Sequence, residues 1–251
     1  HDVPRQTWIN NADGAFYRLF VMSYGYADGG PGPIQNFSSI LFTPFNRRFE
    51  IGWYAPWLFS APNATGPGQS TTIGDLTIWP RFLLHETKEL SVTANLFLRL
   101  PTGPLSNGNS VMSLSPDIEF WANPVSTWVF RGGLGISTPV NGSNTRDPLL
   151  NLNPWTGFNA TTGGFNTLDA RLAIGQYITP STGKFFGDFV YYLAANFHAG
   201  LEKASFNYLS LTPGMRTGLG NDCYFLAGTE IPLLSPKPFT SSVIVQFIRN
   251  F

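Results

Sequence analysis

Twelve ionisable side chains recur in segments where every second residue is apolar: Glu50, Asp75, Asp117, Glu119, Asp169, Asp188 and Glu230, with Arg81, Arg99, Arg131, Arg171 and Arg216. Carboxylates and guanidiniums so spaced could serve acid–base catalysis, hold a metal ion, or line a polar passage with fixed charge. His198 lies on the same parity as Asp188 and Asn196, while His85 falls in the turn-like "HETKE" (85–89). A hydrolase would need a serine presented to such a histidine and a third group orienting it. No serine stands in a suitable neighbouring position, so no catalytic residue and no enzyme activity are expected. The acids and histidines show no HxxH, HxxxH or EF-hand-like spacing, and the single Cys223 excludes both a disulfide framework and a cysteine-based zinc site. No metal and no cofactor are expected. The charges, with His198, then either form a selectivity constriction or a structural network that fills a narrow interior.

The elements that would position them read as strands. In "LSVTANLFLRLPTG" (90–103), Leu90, Val92, Ala94, Leu96, Leu98 and Leu100 alternate with Ser91, Thr93, Asn95, Phe97 and Arg99. One face is apolar and the other polar. The apolar face could look into a soluble core or out into lipid. Only 12% of residues are charged and 15% are aromatic, while 26 Gly and 20 Pro punctuate the whole chain, as in a many-stranded protein whose surface is not wholly wet. Net charge is zero, which gives no reason to expect a nucleic-acid partner. No apolar run reaches the length of a membrane helix, no basic-then-apolar leader is present, and His1 reads as a processed or trimmed start.

Alternation bounded by turn residues predicts twelve strands near 15–26, 35–45, 48–60, 72–85, 90–100, 112–123, 127–138, 167–179, 185–200, 208–218, 222–234 and 239–251. Short connections (45–48, 85–89, 123–127, 179–184, 219–222) alternate with longer ones (27–34, 61–71, 101–111, 139–166, 201–207, 234–239). That is the pattern of a closed antiparallel up-and-down transmembrane β-barrel, all-β, with short periplasmic turns, longer extracellular loops and both termini on the periplasmic side. Charges inside the strands fall on the polar parity, and all four lysines (Lys88, Lys184, Lys203, Lys237) fall in turns or loops. A confined polar interior favours arginine, whose planar fork satisfies several carboxylates, so the apolar face is expected to meet lipid. Trp53, Trp57 and Trp128 on that face are candidates for an interfacial girdle. In 48–60, Phe59 is counted on the same outward face as Trp57. Residues 1–251 are read as one barrel domain in which 1–30 are left open, as wall or as a periplasmic or lumenal segment. The first two strands alternate poorly, and Arg18 has the wrong parity. Pro56, Pro80, Pro116, Pro213 and Pro232 fall inside expected strands, where each needs a bulge or a strand end. Loop 139–166, with Trp155, Phe158 and Phe165, is long enough to fold inward or bind a partner.

"IGDLTIWPRFLL" (73–84) followed by "LSVTANLFLRLPTG" (90–103) resembles the strand pair of outer-membrane proteins of the phenol-degradation MetA-pathway type. "FEIGWYAPWLF" (49–59) and "SPDIEFWAN" (115–123) resemble the flanking strands, and the terminal Phe251 after Val243, Val245 and Phe247 looks like a barrel-assembly signal. The resemblance covers about half the chain. It implies a channel or transporter for small, often aromatic or hydrophobic solutes in the outer membrane of a Gram-negative bacterium. Outer-membrane lipid, the barrel-assembly machinery and a small-molecule solute are then the expected partners, and a homo-oligomer or larger envelope complex is compatible with it. The alternative is a structural or accessory barrel that anchors an envelope assembly through its loops without transport. In either case Arg99 points inward, with Asp75 and Asp117 as its expected carboxylate partners.

Overall fold

The computed structural model describes residues 7–11, 13–16, 18–28, 32–62, 67–104, 112–125, 127–140, 166–179, 185–202, 207–235, 237 and 239–251. Most of loop 139–166, including Trp155, Phe158 and Phe165, lies outside the described residues, as do Lys184 and Lys203. The strands are β1 (Leu19–Asp28), β2 (Ile34–Asn46), β3 (Phe49–Pro62), β4 (Gln69–Thr72), β5 (Thr77–Glu86), β6 (Leu90–Arg99), β7 (Ser113–Val125), β8 (Trp128–Pro139), β9 (Thr167–Tyr177), β10 (Val190–Gly200), β11 (Tyr208–Gly220), β12 (Cys223–Pro232) and β13 (Ser241–Asn250).

Twelve of them close a barrel. Each pairs antiparallel with its neighbour in chain order, β3 passing directly to β5, and β13 returns to β1 along a ladder from Leu19↔Asn250 to Asp28↔Ser241. β4 stands outside this ring and pairs only with the far end of β3. Closure leaves no edge strand in the wall. The apolar parity faces outward: Ile118, Leu134 and Leu172 are all more than half exposed, while Asp117, Glu119 and Arg171 beside them are buried.

Three boundaries depart from expectation. The segment 72–85 is not one strand, because the chain leaves the β3 ladder at 73–76. There Gly74 donates its N–H to the Pro56 carbonyl (2.9 Å) and Leu76 donates to Thr102 Oγ1 (2.8 Å). Asp75 therefore sits in this link rather than in a strand. The strand expected over 185–200 begins only at Val190, because Phe186 (φ 62°) and Asp188 (φ 52°) adopt a left-handed backbone that a strand cannot contain. Thr179 secures that turn, donating to the Phe186 carbonyl and accepting from the Phe189 N–H. The connection expected to be short at 179–184 is correspondingly longer. The first strand starts at Leu19 rather than residue 15, and Arg18 lies exposed just before it.

Bulges and ladder gaps accommodate the prolines. The β2–β3 register jumps from Phe37↔Leu58 to Ser38↔Pro56, leaving Trp57 unpaired. The extra residue flips the parity beyond it, so Phe59 turns inward and is buried, contrary to the outward placement expected for it. Pro80, Pro116 and Pro213 each sit in a gap of one ladder, and Pro232 ends β12. The weak alternation of β1 and β2 has a simple origin. Their inward faces carry Leu19, Val21, Ala27, Ile40 and Phe42 and no charge.

Candidate functional site in the barrel lumen

Inward parity in the strands buries ten of the twelve expected charges, and Asp75 in the 73–76 link and Asp188 in the turn before β10 are buried as well. Glu50, Asp75, Arg81, Arg99, Asp117, Glu119, Arg131, Asp169, Arg171, Asp188, Arg216 and Glu230 are all buried, and His198 is half-buried. Among the described residues, eight buried carboxylates, counting Asp13, face five buried guanidiniums.

Part of this interior is occupied by the chain ahead of the first strand. Thr7, Trp8, Ile9, Asn10, Asn11, Asp13 and Ala15, which precede the first strand, are all buried. None of them takes part in the strand ladders; the segment is held through side chains. The Trp8 ring stacks on Tyr192 (centroids 4.8 Å apart, planes 4° apart) and carries the Arg131 guanidinium 4.4 Å over its own centroid. Gly175 makes room for this stack: a Cβ there would lie 2.5 Å from the Trp8 ring. Ile9 donates its N–H to the Tyr192 hydroxyl (2.9 Å), and the Asn10 amide donates to Thr212 Oγ1 (3.0 Å) and Glu230 Oε2 (2.8 Å). Asn196 donates to the Asn10 carbonyl, and Tyr208 donates to the other Glu230 oxygen (2.7 Å).

Asp13 joins the segment to the densest charge network. Its carboxylate accepts from Arg131 Nη1 (2.9 Å) and Thr7 Oγ1 (3.0 Å), while its N–H donates to Glu119 Oε2 (3.1 Å). Arg81 pairs with Glu50 (2.5 Å), donates through Nε to Asn95 Oδ1 (2.9 Å), and reaches the carbonyls of Asp13 and Ala15. Arg171 spans Asp117 and Glu119, the latter at 3.2 Å, and Asn95 donates to Asp117 (2.7 Å). A planar guanidinium can satisfy several acceptors at once, which a lysine ammonium does less well.

Other expected groupings are corrected by the register. Arg99 pairs with Asp75 (2.9 Å), whose second oxygen accepts from the Gly103 N–H (2.8 Å). It does not pair with Asp117, because Arg99 stands opposite Ser113 whereas Asp117 stands opposite Asn95, four residues earlier in β6. His198 is not beside Asp188, which lies in the turn ahead of β10, near the opposite end of that strand. Its Nδ1 meets Asp169 on the neighbouring strand, and its ring lies 5.8 Å from that of Tyr208. Arg216 donates to the Tyr177 hydroxyl (3.2 Å) and stacks 4.1 Å over Tyr224. Among the described residues it has no carboxylate within ion-pair distance. No group of three or more His, Cys, Asp or Glu is arranged to hold a metal ion among the described residues. Trp53 and Trp57 are exposed on the outer wall and Trp128 is half-buried, while Phe251 is exposed and donates its N–H to the Arg18 carbonyl.

Trp8, Asn10 and Asp13 were not singled out by sequence reasoning, since an aperiodic stretch gives no face assignment. The one hint was a run mixing Trp, Asn, Asp and Gly ahead of two strands whose inward faces lack charge.

Solved structures share this architecture. The chain is similar to an outer-membrane channel of Pseudomonas putida F1, with a TM-score of 0.63 at 11% identity over 93% of this chain and 94% of that one. It is also similar to the NanC porin (TM-score 0.59, 6% identity, 92% and 98% covered) and the KdgM porin (TM-score 0.57, 8% identity, 93% and 99% covered). The KdgM porin has also been solved in complex with disordered oligogalacturonate. No family model and no curated protein matches. At these identities the likeness establishes the fold, a closed twelve-stranded antiparallel barrel of the outer-membrane porin type.

Proposed function

We propose that this barrel lies in a Gram-negative outer membrane and passes small solutes, with the segment that carries residues 7–11 and 13–16 as a displaceable plug. The observation that carries this reading is how the segment is held. It fills a polar interior yet has no ladder pairing with the wall, so its release breaks side-chain contacts without opening the barrel. The fold shared with channels and porins supports the same reading, as does the resemblance to the MetA-pathway type. Membership of that family, assembly through Phe251 and any oligomer belong to the proposal.

The plug also outlines a solute. Once it leaves, Tyr192 presents a bare ring face, and Arg131 loses both an aromatic partner and a carboxylate. A small molecule carrying an aromatic ring fits those vacated contacts. Aromatic stacking and cation–π attraction would both be recovered on binding. With Asp13 gone, the seven remaining buried carboxylates against five guanidiniums disfavour highly charged anions.

The close filling of the lumen favours a second reading, a barrel that anchors an envelope assembly and conducts nothing. Planar-bilayer conductance and vesicle uptake, measured on the whole chain and on a variant lacking residues 1–16, separate the two. The channel reading expects the truncated barrel to conduct more and to admit small aromatic solutes. A truncated barrel that is folded and silent supports the accessory role.

A further inference from the structure

At the short-turn end of the wall, two adjacent hairpins carry bulges at matching heights. The β2–β3 ladder shifts between Pro44 and Asn46, leaving Phe45 unpaired, and the β5–β6 ladder shifts between Leu83 and His85, leaving Leu84 unpaired. Bulges bend a strand and re-aim its side chains. Here they open a cleft of about 320 Å³ lined by Arg47, Arg48, Leu83, Leu84, His85 and Glu86. The floor is tied by the Leu83 N–H donating to the Arg48 carbonyl (3.0 Å), and the Arg48 N–H donates to Asn46 Oδ1 (2.8 Å). Among the described residues, neither Arg47 nor Arg48 has an ion-pair partner.

Directly on the wall side of this basic cleft lies an apolar aromatic row. Phe45, Phe82 and Leu84 are exposed, and the rings run in contact from Phe45 to Phe49 (5.7 Å) and from Phe49 to Phe82 (5.0 Å). We propose that the cleft is a binding site for an anionic glycerophospholipid of the leaflet at the short-turn end. Its phosphate is held by Arg47 and Arg48, its acyl chains lie along Phe45, Phe82 and Leu84, and its headgroup hydroxyls donate to Glu86. The charge lining selects for a net negative headgroup, and the apolar row distinguishes a lipid from a free anion. This inference rests on the membrane location proposed above and is independent of whether the barrel conducts.

Native mass spectrometry of the detergent-extracted full chain tests it, with phosphatidylglycerol, phosphatidylethanolamine, phosphatidylcholine and inorganic phosphate as probes. A heat-modifiable gel band establishes that each variant is folded, and its absence in the wild type would overturn the membrane location instead. The expected result is one phosphatidylglycerol retained about tenfold more strongly than either zwitterionic lipid. That preference should be lost in the variant carrying Arg47→Ser and Arg48→Ser but kept in Arg249→Ser, a control at the same end of the barrel. Equal retention by the double variant overturns the site, as does equal binding of phosphatidylcholine or phosphatidylethanolamine. Displacement of the lipid by inorganic phosphate at equal concentration would mark a free-anion site and overturn the lipid assignment.

Discussion

Trp8 lies flat on Tyr192, their rings 4.8 Å apart and 4° from parallel, although the two residues belong to an unpaired segment and to β10 of the wall. The same Tyr192 hydroxyl accepts the Ile9 N–H. Trp8→Ala should weaken docking of the segment by roughly 3–5 kcal/mol, the usual cost of emptying a packed aromatic site, while the ladders keep the barrel folded. Tyr192→Phe keeps the ring and removes one hydrogen bond, worth about 1 kcal/mol. Limited proteolysis of the N-terminal segment in the folded protein should rank Trp8→Ala well above Tyr192→Phe. Wild-type resistance in Trp8→Ala would contradict the packing argument.

Gly14 passes so close to β7 that a Cβ would sit 2.1 Å from the Phe120 carbonyl carbon. The obstacle is backbone and cannot turn aside. Gly14→Ala should therefore displace the segment and reproduce the proteolysis and conductance of Trp8→Ala, with the heat-modifiable band unchanged. A substitution this small that altered neither readout would mean that the segment does not lie against β7.

Arg99 and Asp75 form a buried ion pair that also anchors the 73–76 link and the Gly103 N–H. Arg99→Ala leaves a buried carboxylate without its guanidinium, a change that costs roughly 3–5 kcal/mol. Denaturant titration of the barrel refolded into vesicles measures this. Adding Asp75→Asn to Arg99→Ala should recover part of the loss, because the stranded charge is then gone. No recovery would show that the cost arises from packing alone.

Arg216 should behave differently from Arg81. Both are fully buried, but Arg81 pairs with Glu50 and caps the Asp13 and Ala15 carbonyls, whereas Arg216 contacts a hydroxyl and an aromatic face. Arg81→Met strands several acceptors and should cost roughly 3–5 kcal/mol, while Arg216→Met should be neutral to within about 1 kcal/mol. The same refolding titration decides, and equal losses would reveal a partner for Arg216 beyond those among the described residues.

On the outer wall, Leu134 stands in register with Ile118 and Ala170 near the middle of three strands, and Leu98 lies next to the loop end of β6. An arginine at a lipid-facing midplane position costs roughly 2–4 kcal/mol and less than about 1 kcal/mol near the interface. Leu134→Arg should accordingly oppose insertion more than Leu98→Arg. Equal tolerance of both in vesicle folding would argue against a lipid-facing outer wall.

The alternation of Leu90 to Leu100 with Ser91 to Arg99 was enough to separate two faces, because side-chain direction in a strand has a period of two and depends on neighbours alone; which face looks outward was read from the arginines and acids on the polar parity and the lysines in turns and loops. The same local rule, bounded by turn residues, led to twelve strands with Asp117, Glu119, Asp169 and Arg171 on their polar faces, and the alternating lengths of the connections pointed to an up-and-down barrel. What sequence could not settle was which charge meets which. Asp117 belongs to Arg171 and not to Arg99 because the β6–β7 register sets Asn95, not Arg99, beside it. Phe59 turned inward because one unpaired Trp57 shifted the parity beyond it, and a bulge is a property of two strands together. The filling of the lumen was least legible. Ile9 bonds to a hydroxyl 183 residues away, and Trp8, Asn10 and Asp13 follow no period. Their positions emerge only when a closed polar interior offers buried partners to a stretch of chain that forms no ladder of its own.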